Sequence, residues 1–309
     1  MTEDTQSEAL DSLFPGFRHC RIEVETGVQI AATVGGAGPP LLMLHGHPQT
    51  RAIWHKVAPA LARDHTLVMA DLRGYGDSSK PQGAVDHANY AKRVMARDQH
   101  TLMSRLGFGQ FAVLAHDRGA RVAHRLAADH PDAVTRLVLL DIAPTLAMYE
   151  QTTETFARAY WHWFFLIQPA PLPERLISAD PAGYIRDVMG RRSAGLAPFD
   201  PRALAEYQRC IALPGAAHGL CEDYRAAAGI DLLHDREDRD AGRKLAMPLL
   251  ALWGAQGVVD QCFKPLDEWR KVALRVEGRA IDCGHYIAEE APEILLQQAQ
   301  AFLAQEVTA

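Results

Sequence analysis

Phe111-Ala112-Val113-Leu114-Ala115-His116-Asp117-Arg118-Gly119-Ala120-Arg121-Val122-Ala123-His124-Arg125-Leu126-Ala127 passes from a short apolar run into a stretch with helical periodicity. Ala115 lies two residues before Asp117, and Gly119 lies two after it. Small residues at those two places permit a tight strand-to-helix turn that lifts the central side chain clear of the backbone, a nucleophile elbow. Ser is the usual central residue; here it is Asp117. A carboxylate attacks carbon, leaves an alkyl ester on the protein, and needs no proton removed first. Arg118 and Arg121, three apart, share one face of the first helical turns. Paired guanidiniums bind a carboxylate as a fork. The stretch therefore points to displacement of a leaving group from a small anionic substrate.

The flanking sequence supplies a sheet for that elbow. Residues 18–34 read as a β-hairpin turning at Glu25-Thr26-Gly27, and the Gly/Pro-rich stretch 35–40 breaks it. Leu41–Leu44 is a buried strand ending at His45-Gly46-His47-Pro48, and a helix is expected over 51–63. His65–Asp71 is a strand, Arg73–Ser79 a glycine-rich loop, and 88–106 a helix. The loop lacks a full dinucleotide-binding pattern. Leu137–Leu140 is a strand ending at Asp141. Strands alternating with helices predict an α/β fold with a mostly parallel sheet covered on both faces.

The alternation stops over 144–243, which is rich in helix formers, aromatics and prolines. This region reads as a helical cap inserted into a core domain of residues 15–143 and 244–309. The βα pattern resumes at Pro248–Gly254, with a last strand expected around 272–277, a loop holding His285, and a helix over 291–304.

Composition narrows the class. With Lys+Arg 32 against Asp+Glu 38 the formal net charge of the 309 residues is −6, which disfavours nucleic acid as a partner. Cys20, Cys210, Cys221, Cys262 and Cys283 are odd in number, widely spaced and without a C-x-x-C pair, so neither a zinc site nor a disulfide framework is expected. They read as reduced thiols, with Cys283 close to His285. Met1 to Glu8 is polar and acidic, unlike a signal peptide, and no apolar run approaches the ~18 residues a membrane span needs. A cytoplasmic protein without a membrane partner is expected.

Open α/β sheets bind ligands beyond the carboxyl ends of their strands. His45-Gly46-His47-Pro48, Asp117, Asp141 and His285 all fall there, in the chain order nucleophile, acid, histidine. His45–Thr50, Asp71–Gly76, His116–Val122, Leu140–Thr145, Tyr160–Phe164, Cys221–Arg225 and Gly284-His285 match, in order, the motifs of one family. Over roughly residues 15–305 the chain resembles the fluoroacetate dehalogenases of the α/β-hydrolase fold. The early motifs are shared with epoxide hydrolases; the arginine pair and the 144–243 motifs are more specific.

The resemblance implies a role for each residue. Asp117 is the nucleophile, and Arg118 with Arg121 holds the substrate carboxylate. His285 activates water, oriented by Asp141. The backbone N–H groups of His47 and Arg118 form an oxyanion hole, and His162, Trp163 and Tyr224 hold the departing halide. Many relatives of this fold carry the acid in a Trp-Gly-x-x-Asp context. Here Trp253-Gly254-Ala255-Gln256-Gly257 has glycine at that place, which favours Asp141 and leaves Asp260 as the alternative. The implied partner is a small anionic haloacid, with no metal or organic cofactor; relatives are often homodimers. The rivals are an epoxide hydrolase with the same Asp nucleophile and a non-catalytic ligand-binding protein on the same fold. Two departures concern the pocket. His47 replaces the usual Phe, and Val188-Met189-Gly190-Arg191-Arg192 lacks a Trp that some relatives carry.

Overall fold

The computed structural model describes residues 8–305. The polar stretch Met1–Ser7, and residues 306–309 of the segment expected to close the core, lie outside the described residues. Eight strands form one sheet: β1 Arg18–Glu25, β2 Val28–Gly36, β3 Pro40–Leu44, β4 Thr66–Ala70, β5 Phe111–His116, β6 Val134–Leu140, β7 Leu249–Gly254 and β8 Val276–Ile281. Their order is β1-β2-β4-β3-β5-β6-β7-β8. β1 and β2 form the expected antiparallel hairpin, and β2 also runs antiparallel to β4. From β4 to β8 every pairing is parallel.

A central parallel strand is buried on both faces, so its sequence is a continuous apolar run rather than an alternation. β5 and β7 are buried at every position. β8 closes one edge, and its residues alternate between exposed and partly buried until Ile281. That weak apolar signal explains a shift from expectation. Residues 265–272 are helical, with Pro265 in the first turn and Trp269 buried, and the strand begins only at Val276. Val272 thus belongs to a helix, and only a single bridge at Ala273 to Leu245 precedes β8.

A second difference lies at 51–63. In place of one helix there is a 3-10 turn, Arg51–Trp54, and a short α-helix, Ala58–Leu61. Pro59 has no N–H to give the carbonyl of His55, so a continuous helix cannot pass through it.

Eight helices lie between β6 and β7, from Thr145–Glu150 to Ile230–Asp240. Their apolar faces, including Phe156, Trp163, Ile185, Tyr207 and Tyr224, join the same hydrophobic core as the sheet. Among the described residues no helix is long and apolar enough to cross a membrane.

Candidate active site

Asp117 opens the helix Asp117–Asp129 directly after β5. Its φ is +45°, in the left-handed region. Holding a residue other than glycine there costs of order 1–3 kcal/mol, which the surrounding structure must supply. Two glycines make room for the turn. A Cβ on Gly119 would lie 2.4 Å from the His45 carbonyl oxygen, and one on Gly46 would lie 2.4 Å from Asp117 Cβ. The His45-Gly46-His47 turn therefore packs directly on the elbow, and the His47 N–H donates to Asp117 Oδ1 at 2.9 Å.

Asp117 is buried. Burial opposes its ionisation, but the neighbouring His285 and His116 imidazoles and the Arg121 and Arg118 guanidiniums outweigh it and hold the carboxyl well below the usual range. The helix N-terminus adds positive potential in the same direction. Arg118 follows in the first helical turn, where backbone N–H groups have no partner within the helix. The two N–H groups expected to serve as an oxyanion hole, those of His47 and Arg118, thus flank Asp117.

His285 sits in the loop after β8, and its Nδ1 is 2.5 Å from Asp141 Oδ2. Asp141 follows β6, is buried, has φ +50°, and accepts the Gly254 N–H at 2.9 Å through its other oxygen. Asp260, the alternative acid, accepts the Trp253 indole N–H at 2.7 Å instead. A Cβ on Gly257 would lie 3.4 Å from Asp141 Oδ1, so the strand ends after β6 and β7 lead to the same point. The buried His116 fixes this loop, its Nε2 bonding the His285 carbonyl at 2.9 Å. Cys283, near the loop, has its thiol pushed up to about 12, chiefly by burial.

The two arginines are buried but are not equivalent. Arg118 gives Nε and Nη2 to Asp223 at 2.8 and 3.0 Å and stacks 4.0 Å from the Tyr224 ring centroid. Only its Nη1 lacks a hydrogen-bond partner among the described residues. Arg121 meets neutral acceptors alone: the Ala143 carbonyl, Thr145 Oγ1 and Met148 Sδ. Its Nε is unpartnered, and no carboxylate of the described residues lies within ion-pairing distance. Burial, then the charge of Arg118, pulls the Arg121 pKa down. Each guanidinium thus keeps one buried nitrogen without a hydrogen-bond partner among the described residues.

His162 and Trp163 lie on the helix Trp161–Leu166, and Tyr224 on Ala216–Ala228. The Trp163 indole nitrogen and the Tyr224 hydroxyl are buried without a partner among the described residues. Arg121 stacks 4.7 Å from the Trp163 ring, and Tyr224 packs edge-on to both His162 and Trp163. These three side chains and the arginines thus form one continuous group. His47 joins it: its ring stacks on His162 at 5.4 Å, and its Nε2 is 3.1 Å from the Tyr184 hydroxyl. Burial pushes the His47 pKa down to about 3, so its imidazole is neutral.

A family model described as the alpha/beta hydrolase fold matches residues 39–292. The chain belongs to the α/β-hydrolase family. It is 44% identical over 292 residues to a fluoroacetate dehalogenase from Burkholderia sp, covering 94% of this chain and 95% of that protein. It is also 36% identical over 289 residues to a soluble epoxide hydrolase from Corynebacterium sp. (strain C12), covering 90% and 94%. A solved structure from Nostoc sp PCC 7120 superposes with a TM-score of 0.90 at 50% identity, covering 94% of this chain and 99% of that one.

Sequence reasoning left Asp223 without a role. It is fully buried and is the carboxylate that engages Arg118, Lys92 and the Tyr75 hydroxyl. Burial opposes its ionisation, but Arg118 and Lys92 hold it well below the usual range. The signal was available in outline: a buried arginine requires a counter-ion, and Asp223 adjoins Tyr224. Tyr149 was also missed. Its hydroxyl is buried and unpartnered, and its ring lies 5.0 Å from that of Trp163. Burial pushes its pKa up to about 12, against the pull of Arg118 and Arg121.

Proposed function

We propose that this chain is a haloacetate dehalogenase, fluoroacetate among its substrates, working through an ester on Asp117. The observation that carries the reading is Arg121. Its buried guanidinium hydrogen-bonds only neutral acceptors, with the Asp117 charge acting on it at longer range, and its Nε, like Nη1 of Arg118, has no partner among the described residues. A substrate carboxylate supplies the missing charge and accepts both N–H groups.

In this reading Asp117 attacks the α-carbon from the side opposite the halogen. The new C–O bond forms as the carbon–halogen bond breaks, and the halide leaves with the electron pair. His162, Trp163 and Tyr224 donate hydrogen bonds to it as its charge develops. His285 then takes a proton from water, whose oxygen attacks the Asp117 carboxyl carbon. Asp141 stabilises the imidazolium. The backbone N–H groups of His47 and Arg118 stabilise the tetrahedral oxyanion. On collapse the bond between the Asp117 carboxyl carbon and the substrate oxygen breaks, that oxygen takes the proton from His285 and leaves as the hydroxyl of glycolate, and the regenerated Asp117 carboxyl gives its proton to solvent. The eight helices after β6 act as a cap that closes the site.

Single turnover in heavy-oxygen water tests the ester. Label is expected in the Asp117 carboxyl group, with unlabelled glycolate. His285→Asn should stop at a carboxymethylated Asp117 detectable by mass spectrometry. Label found only in glycolate would refute the nucleophile. Turnover of styrene oxide without halide release from any haloacetate would favour the epoxide hydrolase reading.

A further inference from the structure

Arg192 follows the helix Pro181–Gly190. Its guanidinium stacks 4.7 Å from the Tyr160 ring centroid, and no carboxylate of the described residues lies within ion-pairing distance of it. It lines a cavity of about 430 Å³ together with His162 and His285. Arg158, ion-paired with Glu154 at 2.7 Å, and Arg191 line the same cavity, and no Asp or Glu does. Such a wall is unexpected in a chain of net charge −6. A local cationic surface inside an acidic protein raises the local concentration of anions.

The charge of Arg192 reaches the site itself. Burial, and after it Arg192, holds the His162 imidazole well below its ordinary range. The cavity wall therefore offers a cation that no carboxylate of the described residues meets directly, although Asp141 and Asp117 act on it at longer range. A haloacetate leaves it without an ion pair, because its one carboxylate belongs to Arg118 and Arg121.

This inference rests on the dehalogenase reading, which fixes the other substituents of the α-carbon. The carboxylate lies toward the arginine pair, the halogen toward Trp163 and Tyr224, and the attacking oxygen opposite the halogen. His285 and His162 belong both to this site and to the cavity wall, so a further substituent directed past them leads toward Arg192. We infer that Arg192 forms a second carboxylate-binding point, and that 2-halo-dicarboxylic acids of four carbons are substrates of this chain. The cavity volume falls within the ~300–1,000 Å³ range of small-molecule pockets. The chemistry is unchanged: Asp117 displaces halide from the α-carbon, and hydrolysis releases a hydroxy-dicarboxylate.

The test compares 2-chlorosuccinate with 2-chlorobutanoate, which has the same chain length and one charge fewer, by halide release. The wild type should favour the dianion in kcat/KM by about tenfold or more. Arg192→Gln should bring the ratio to unity or below, and Arg192→Lys should keep much of it because the charge persists. A wild-type ratio near unity, or a ratio that Arg192→Gln leaves intact, would overturn the inference. Binding is read separately from turnover. Succinate should raise the thermal midpoint of the wild type more than butanoate does, and Arg192→Gln should erase that difference. Equal shifts from the two acids in the wild type would also overturn it. Failure to release halide from chloroacetate, with the succinate shift present, would instead fail the dehalogenase reading and leave the anion point standing.

Discussion

Tyr224→Phe separates halide donation from pocket shape, because the two assign opposite consequences to one oxygen atom. The Tyr224 side chain is fully buried, and its hydroxyl has no partner among the described residues. Its ring carries the packing: Arg118 lies 4.0 Å from the centroid, and His162 and His47 meet it edge-on at 5.9 and 5.3 Å. Phe keeps that ring and removes only the hydroxyl. Leaving a buried polar group unsatisfied costs about 1–3 kcal/mol, so deleting it should leave stability unchanged or raise it. In the alkylation step of the proposed mechanism the same hydroxyl faces a departing anion. Losing one hydrogen bond there should cost about 1–3 kcal/mol, roughly fivefold to over a hundredfold in rate at 1.36 kcal/mol per tenfold. Fluoride concentrates its charge most and breaks the strongest bond to carbon, so fluoroacetate should lose more than chloroacetate. Burst kinetics isolate the alkylation step, and thermal unfolding of the ligand-free protein supplies the stability term. The expected signature is a lower ratio of defluorination to dechlorination with an undiminished unfolding midpoint. Equal slowing of both substrates together with a lower midpoint would refute halide donation and leave Tyr224 a packing residue.

Asp223→Asn removes the charge that Arg118 and Lys92 share, and separating one partner from a buried ion pair costs about 3–5 kcal/mol. The denaturant midpoint should fall and KM for haloacetate should rise as Arg118 loses its orientation; unchanged KM would show that Asp223 does not position the arginine. A second effect concerns Glu289, a buried carboxyl near Gln49 and Tyr207 whose pKa burial pushes up to about 8. Its folded pKa exceeds its unfolded value, so the stability it contributes is full below about 4.5 and is lost as pH rises through about 8. Glu289→Gln should therefore flatten the fall in unfolding midpoint between pH 5 and 9; an unaltered slope would refute the raised pKa.

The parts of this site legible in sequence are those fixed by local chain geometry. β5 is a fully buried parallel strand, so it appears as an apolar run, and Gly119 is required by its approach to His45. Asp141 stands out because Gly257 removes the competing acid, and the structure then places it against His285. Pro59 likewise carries the signal for the break at 51–63, although apolar spacing alone suggests one helix. What sequence does not display is pairing across the fold. Arg118 meets Asp223 105 positions away, and Arg192 lines a cavity with His162 and His285, a placement its sequence does not display. Both depend on how the helices between β6 and β7 settle over the sheet, and helical periodicity carries no information on that.

The two arginines of the elbow show why that tertiary information decides function. Spacing makes them equivalent, since residues three apart share a face. The fold then separates them. Arg118 receives a buried carboxylate, which satisfies two of its nitrogens and locks its plane against Tyr224. Arg121 receives none, and its lowered pKa records the cost of a cation held in a poorly solvated place beside another cation. One arginine is thus oriented in advance, and the other is left with a charge that a ligand can neutralise. On the proposed reading, a neutral epoxide would gain nothing from this division, whereas an anionic substrate would relieve Arg121 on binding. The unequal treatment of two identical side chains therefore favours the haloacid over the epoxide, and it rests on Asp223 rather than on either arginine.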